Sequence, residues 1–242
     1  MPPPFRTVCF DCDSTLSAIE GVDELLQGVP GPLRAEIAAL TEQAMAGTLP
    51  LAEVYERRLA KLSPSRAQLA VVGELYVARL VADAKVVVQA LQALGKRVGI
   101  VSGGLLDPVL HVAKALGIAA SDVHAVPVHF DGNGGYVDFD RSSPLWRNGG
   151  KVEVVRAFPA DHHPLAFVGD GITDAETQGH VARFVGFGGV VARPAVRARA
   201  EFFAAGPGLA SVLPFVLTPD ELRRLAADPR FATLHAPARG AR

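Results

Sequence analysis

Three short apolar runs in this chain each lead into a cluster of small and polar residues. The runs are Thr7 to Phe10, Val98 to Val101 and Leu165 to Val168. The clusters that follow are Asp11-Cys12-Asp13, Ser102-Gly103-Gly104 and Gly169-Asp170-Gly171-Ile172-Thr173-Asp174. Runs of this kind predict buried strands, and open α/β sheets bind ligands beyond the carboxyl ends of their strands. The sequence therefore predicts a doubly wound, Rossmann-like and mostly parallel α/β sheet with a ligand site at one edge.

Asp11 and Asp13 are the most informative of these polar residues. Side chains alternate along a strand with period two, so both carboxylates are expected on the same side of the strand end. Paired carboxylates at such a position indicate a divalent metal, a nucleophile, or both. Lys151 follows two glycines at the start of a helix-like stretch and would add a cation.

The sequence excludes two familiar motifs, one that binds a metal and one that binds phosphate. A calcium-binding EF-hand loop that began at Asp11 would need Gly and Glu where this chain has Leu16 and Val22. A phosphate-binding P-loop that ended at Lys151 would need Gly and Ser or Thr where the chain has Leu145 and Val152. The carboxylate-rich loops therefore require a different interpretation.

The two cysteines, Cys9 and Cys12, form a C-x-x-C pair. Such a pair is found in redox and zinc sites, but zinc would need two further ligands, and the only clustered candidate is His162-His163. We favour small buried side chains beside the first polar loop.

Composition limits the function classes. The chain has 242 residues, 49% of them hydrophobic, which is enough for one sizeable core and a smaller inserted domain. A net charge of -1 argues against a nucleic-acid partner. No apolar stretch approaches the roughly 20 residues of a membrane span, and Met1-Pro2-Pro3-Pro4 does not begin a signal peptide. We expect a cytoplasmic protein with no membrane partner.

A long segment between the first and second polar clusters has a helical pattern. Apolar residues recur three and four positions apart, and glycine, proline and serine interrupt the pattern at residues 28–31, 47–50 and 63–65. One helix normally connects parallel strands, so several helices indicate an inserted cap. The expected division is a core of residues 1–15 and 80–216, a helical cap of residues 16–79, and a C-terminal helix with a frayed tail at residues 217–242. Residues 83–95 are expected to form a helix and residues 124–140 a β-hairpin.

The order of these motifs resembles the haloacid dehalogenase superfamily of phosphotransferases. Within it the chain most resembles the phosphoserine phosphatases. The broader resemblance rests on Asp11-Cys12-Asp13-Ser14-Thr15, Ser102-Gly103-Gly104, Lys151 and Gly169-Asp170-Gly171-Ile172-Thr173-Asp174. The narrower one rests on Glu20-Gly21-Val22-Asp23-Glu24-Leu25, Ala44-Met45-Ala46-Gly47, Glu56-Arg57-Arg58-Leu59, Gly149-Gly150-Lys151 and Phe184-Val185-Gly186-Phe187-Gly188-Gly189.

The resemblance implies Mg2+-dependent hydrolysis of a small phosphomonoester, O-phosphoserine, with Asp11 as nucleophile and Asp13 as general acid and base. It implies that Asp11, Asp170 and the backbone carbonyl of Asp13 hold Mg2+, with Asp174 in support. Ser102, Lys151 and the N–H groups of Gly103 and Gly104 would bind the phosphoryl group.

The substrate's amino-acid part is expected to meet residues outside the core motifs. By resemblance, Glu20 contacts the ammonium group and Arg58 the carboxylate, and Gly104 and Thr173 also lie at the substrate. Arg57 competes with Arg58 for the carboxylate.

Three alternatives stay open at this point. They are phosphate hydrolysis or transfer with another small phosphomonoester, a dehalogenase, and a phospho-accepting receiver domain. The acid at Asp13 argues against the dehalogenase, and the helical insertion argues against the receiver. We expect a monomer or a homodimer.

Overall fold

A six-stranded sheet forms the centre of the fold in the computed structural model, which describes residues 4–45 and 49–235. All its neighbouring strands are parallel. The strands are β1 (Thr7–Phe10), β2 (Arg97–Leu105), β3 (Val123–Val126), β6 (Leu165–Gly169), β7 (Arg183–Phe187) and β8 (Phe202–Ala204), in the spatial order β3-β2-β1-β6-β7-β8. A separate antiparallel hairpin consists of β4 (Val128–Phe130) and β5 (Tyr136–Phe139). The predicted doubly wound parallel sheet is confirmed.

Helices connect these strands. They are α1 (Gly21–Leu25), α2 (Gly31–Met45), α3 (Leu51–Leu62), α4 (Arg66–Ala78), α5 (Ala84–Ala93), α6 (Leu106–Leu116), α7 (Gly150–Arg156), α8 (Ile172–Ala175), α9 (Pro194–Arg199), α10 (Leu213–Val216) and α11 (Pro219–Ala227). Short 3-10 helices lie at Leu26–Gly28, Ala120–Asp122, Pro144–Trp146, Ala160–His162, Leu209–Val212 and Pro229–His235.

The order of connection reverses between β1 and β6. From β1 the chain moves outward through β2 to β3, and then returns to the other side of β1 for β6, β7 and β8. The backbone N–H of Asp11 donates to the carbonyl of Val168 on β6 at 2.9 Å, so the two strand ends lie side by side. A ligand crevice is expected at such a reversal point, beyond the carboxyl ends of the strands.

Five helices, α1 to α5, lie between β1 and β2. The first four lie within residues 16–79, which we call the helical insert. Its two ends meet, because Ala18 N–H donates to the Arg79 carbonyl at 2.8 Å and Ser17 pairs with Leu80. Within the insert, Ser65 and Gln68 form a capping box that starts α4, and Ser63 ends α3 in a left-handed conformation with φ of 39°. Part of one motif, Ala46 and Gly47, lies outside the described residues.

Two elements differ in extent from the sequence prediction. Strand β2 continues through Ser102 to Leu105, and its pairing with β3 changes register between Val101 and Leu105. The predicted hairpin at residues 124–140 is shorter, because His124 to Val126 pair with β2 in the main sheet. Alternating apolar residues cannot distinguish a sheet strand from a hairpin strand, since both have period two.

Both cysteines are buried and free, as we expected from the sequence. Beyond Pro229, where the sequence suggested a frayed end, a 3-10 helix continues to His235 and buries Phe231 in the core. Residues 236–242 lie outside the described part. Within residues 4–45 and 49–235, no helix has the length and apolar character needed to cross a membrane.

Candidate active site

Three buried aspartates meet at the carboxyl ends of β1 and β6. Asp11 follows β1, Asp170 follows β6, and Asp174 lies on α8. One carboxylate oxygen from each lies within 4.8 Å of the others, a spacing that could hold a metal ion. Burial raises the pKa of Asp170 to about 6, and the negative charge of Asp11 adds to that effect. The cluster therefore concentrates negative charge in a region poor in water.

Lys151 supplies a buried cation to this cluster. It lies in the first turn of α7, and its Nζ is 2.9 Å from Asp11 Oδ1 and 2.5 Å from Asp174 Oδ1. Burial acts to lower the pKa of Lys151, but the charges of Asp11 and Asp174 outweigh it and raise that pKa. Lys151 therefore stays positively charged. Gly150 lets the Pro144 carbonyl pack against the start of α7, because a Cβ at position 150 would lie 1.9 Å from that oxygen.

Asp13 faces away from that cluster. Its Oδ1 accepts hydrogen bonds from the Gly21 N–H at 2.7 Å and the Tyr76 hydroxyl at 2.5 Å. Burial and the charges of Glu20 and Asp11 raise the pKa of Asp13 to about 7, although both donors act to lower it. At neutral pH this carboxyl group can therefore exist in either protonation state.

Ser102 and Gly104 lie opposite the second oxygen of Asp13. A Cβ on Gly104 would come within 2.9 Å of Asp13 Oδ2 and 3.1 Å of Ser102 Oγ, so a glycine is needed here. The Gly104 N–H donates to Ser102 Oγ at 3.0 Å, and Ser102 is fully buried. The irregular end of β2 thus brings a hydroxyl group and backbone N–H groups beside the carboxylates.

Glu20 precedes α1 at the rim of the site. Its Oε1 accepts from Ser14 Oγ at 2.7 Å and lies 3.3 Å from Nη2 of Arg193. Ser14 has a left-handed backbone conformation with φ of 51°, which is rare outside glycine. This conformation lies in the turn after β1, where the Ser14 hydroxyl donates to Glu20.

The two neighbouring arginines of α3 have different surroundings. Arg57 is half exposed and pairs with Glu53 on the same helix. Arg58 is 19% exposed, and its Nη2 lies 3.1 Å from Asp23 of α1. The helix thus turns Arg58, not Arg57, towards the rest of the insert. Thr173 lies half-buried on α8.

Comparisons with known proteins identify the family. A model of the haloacid dehalogenase-like hydrolases matches residues 5–177. The phosphoserine phosphatase of Bos taurus is 36% identical over 200 residues, which cover 81% of this chain and 87% of that protein. The chain is a haloacid dehalogenase-like hydrolase. The Homo sapiens phosphoserine phosphatase is 35% identical with the same coverage, so the hydrolase belongs to the same family as these enzymes.

Solved structures agree on the fold of the hydrolase. A phosphoserine phosphohydrolase-like protein from Francisella tularensis superposes with a TM-score of 0.75 at 22% identity. The match covers 88% of this chain and 100% of that protein.

Two residues of the hydrolase site were missed by sequence reasoning. Arg193, in the segment after β7, donates from Nε to Asp170 Oδ2 at 2.8 Å and also approaches Glu20. The hydroxyl of Tyr76 on α4 donates to Asp13, which lies 63 positions earlier in the sequence. No local pattern marks either residue. The glycine-rich stretch just before Arg193 was the nearest available signal.

Proposed function

We propose that the hydrolase converts O-phosphoserine to serine and phosphate through an aspartyl-phosphate intermediate on Asp11. The observation that carries the proposal is the buried group of Asp11, Asp170 and Asp174 around Lys151, at the point where strand order reverses. Relatives that are 36% identical to this chain over 200 aligned residues are named phosphoserine phosphatases. The expected setting is the cytoplasm, with the protein as a monomer or homodimer.

The donor set suits Mg2+. Hard oxygen ligands are what this ion prefers, and three buried carboxylates provide them. Burial and, after it, the charge of Asp11 raise the pKa of Asp170, and a divalent cation would stabilise its ionised carboxylate. Asp11, Asp170 and the backbone carbonyl of Asp13 would hold the ion. Asp174 would support it, because its two oxygens already accept from Lys151 and the Gly171 N–H. When bound, the ion would reduce repulsion between the nucleophile and the anionic phosphate.

Asp11 is suited to act as the nucleophile. Its Oδ1 accepts the Cys12 N–H at 2.7 Å and lies 2.9 Å from Lys151 Nζ. Both contacts are to the same oxygen, which leaves Oδ2 to attack phosphorus. Attack forms an O–P bond to Asp11 and breaks the bond between phosphorus and the serine oxygen. The phosphoryl oxygens would be bound by Lys151, Ser102 and the N–H groups of Gly103 and Gly104.

Asp13 is suited to act as the general acid and base. Two donors fix its Oδ1, and its Oδ2 faces Gly104 and Ser102, where the leaving group would lie. A pKa of about 7 lets Asp13 give a proton to the serine oxygen. The resulting carboxylate would then take a proton from the water that hydrolyses the aspartyl phosphate.

The substrate's amino-acid part would lie under the helical insert. We propose that Glu20 binds the ammonium group, that Arg58 binds the carboxylate, and that Thr173 lies beside them. We also propose residues 16–79 as a cap over a core of residues 1–15 and 80–216. The hydrogen bond from the Ala18 N–H to the Arg79 carbonyl supports those boundaries.

The test is a steady-state assay of released phosphate with and without Mg2+ and a chelator. We expect metal-dependent turnover of phosphoserine and slower turnover of phosphoethanolamine, which lacks the carboxylate. Arg58→Ala should lose most of this preference, whereas Arg57→Ala should keep it because Arg57 pairs with Glu53 in solvent. If phosphoserine is a poor substrate and another phosphomonoester is a good one, the substrate assignment is wrong. If no phosphomonoester is hydrolysed, the proposed activity is wrong.

A further inference from the structure

Two polar atoms of α3 are buried and lack a hydrogen-bond partner among the residues that the structure describes. They are the Tyr55 hydroxyl and Nε of Arg58. Residues three apart on a helix lie on the same face, so the two side chains are neighbours. Buried polar groups in folded proteins are almost always paired, and an unpaired group requires an explanation.

Aromatic packing fixes the position of Tyr55. Its ring lies edge-on to Phe139 of the hairpin, with 5.4 Å between centroids and 72° between planes. Phe139 in turn packs against Trp146 at 5.3 Å. These contacts involve the rings, so they hold the Tyr55 hydroxyl in place without bonding to it.

The Tyr55 hydroxyl is a donor. Burial raises the pKa of Tyr55 well above its usual range, the charge of Asp13 adds to that rise, and Arg58 opposes it. The phenol is therefore protonated at neutral pH.

The nearby carboxylates of Asp13 and Asp23 have other donors and accept from neither of these two atoms. Asp13 Oδ1 accepts from the Gly21 N–H and the Tyr76 hydroxyl. Asp23, which is 62% exposed, takes Nη2 of Arg58 and leaves Nε unpaired. Two buried donors on one helix face therefore remain for a ligand with two acceptor oxygens.

We propose that the Tyr55 hydroxyl and Arg58 Nε together bind the carboxylate of the amino-acid substrate, which makes Tyr55 a specificity-determining residue. The inference rests on the proposed function. A carboxylate fits better than the phosphoryl group, because Lys151, Ser102 and the β2 glycines lie on the core side and α3 lies on the insert side. A carboxylate also presents two oxygens to two donors.

The test compares kcat/KM of the full chain on phosphoserine and on phosphoethanolamine. Tyr55→Phe keeps the ring on Phe139 and removes only the hydroxyl. We expect kcat/KM on phosphoserine to fall by about tenfold or more, as for loss of a hydrogen bond to a charged group. We expect kcat/KM on phosphoethanolamine to stay within about twofold, because that ester has no carboxylate. Inhibition by the product L-serine should weaken in parallel.

Tyr136→Phe is the matched control, because it removes the neighbouring tyrosine hydroxyl, which already interacts with Asp138. It should leave both substrates unaffected. Thermal melting checks that each variant folds. If Tyr55→Phe does not fold, Tyr55→Met is used in its place, with the same expected change in selectivity.

Equal losses on both esters, or no loss on phosphoserine, would overturn the role of Tyr55 while leaving the proposed function in place. If the unaltered enzyme does not hydrolyse phosphoserine, both fail together.

Discussion

Charge balance at single residues decides what this site can do. Burial removes water from Asp11, Asp170 and Asp174, and the cations that contact them among the described residues are Lys151 and Arg193. Lys151 contacts two carboxylates and Arg193 contacts one. Asp11 and Asp174 share Lys151 but accept from different backbone N–H groups, and Asp170 pairs with Arg193. These differences let three residues of one type take different roles.

The first prediction concerns the nucleophile. Asp11→Asn keeps the shape of the side chain and an oxygen that can accept from the Cys12 N–H. It removes the negative charge of the oxygen that attacks phosphorus. Release of phosphate from phosphoserine should fall to background, with the melting transition retained. Asp161→Asn, at an exposed position far along the chain, serves as the control. Turnover near that of the unaltered enzyme would rule out Asp11 as nucleophile.

The second prediction separates Asp13 from Asp11. Asp13→Asn cannot protonate the leaving oxygen, and general acid and base assistance is typically worth about 10² to 10⁴ in rate. kcat/KM on phosphoserine should fall by that factor. The loss should be smaller on p-nitrophenyl phosphate, whose leaving group needs less protonation. A loss well below tenfold on phosphoserine would point to another acid.

At the scale of helices and strands, the parts that follow a local pattern were predicted and the parts that depend on distant packing were not. The apolar runs predicted β1, β2 and β6, because burial and strand periodicity are local properties. The polar residues follow the strand at β1 and β6, whereas Ser102, Gly103 and Gly104 lie within the irregular end of β2. Arg193 and Tyr76 reach Asp170 and Asp13 only after the sheet and the insert have assembled. Whether Arg57 or Arg58 faces the site likewise depends on how α3 is rotated against α1.

The third prediction tests the contact of α1 with α4. A Cβ on Gly21 would lie 2.1 Å from the Tyr76 hydroxyl, so Gly21→Ala must push Tyr76 away from Asp13. Overpacking of this kind typically costs about 1 to 3 kcal/mol. We expect a lower free energy of unfolding together with lower activity on phosphoserine.

Gly28→Ala is the matched control for that change, because a Cβ there meets nothing within 4 Å. It should leave activity unaltered and stability equal or slightly higher, since alanine restricts the unfolded chain. If Gly21→Ala behaves like Gly28→Ala in chemical denaturation and in the phosphate assay, the close packing of α1 on α4 is not needed for Asp13 to function.

Across the whole molecule, a buried ion pair far from the site connects the two ends of the described chain. Lys96, at the entry to β2, donates from Nζ to the Phe5 carbonyl at 2.8 Å and to Glu221 Oε1 at 2.6 Å. Glu221 also accepts the Thr218 N–H at 2.8 Å in the capping box that starts α11. One carboxylate thus fixes the C-terminal helix to the sheet and to the segment before β1.

The last prediction follows from the pKa of Glu221. Burial acts to raise that pKa, but the hydrogen bonds from Lys96 and Thr218 outweigh burial and lower it below the ordinary value of 4.5. The unfolded chain therefore binds a proton at higher pH than the folded protein does. The stability that Glu221 contributes is fully present above about pH 4.5 and is lost as the pH falls through the folded-state pKa.

Glu221→Gln should remove this dependence and lower the free energy of unfolding at neutral pH by about 1.5 to 3 kcal/mol, as for hydrogen bonds to charged groups. Denaturant titrations between about pH 3 and pH 7 measure both effects. Asp220→Asn is the matched control, because that neighbouring carboxylate is 80% exposed and pairs in solvent with Arg223. A variant at position 221 whose stability falls in acid as steeply as that of the unaltered protein would show that other carboxylates, and not the pair with Lys96, set the acid limit of the fold.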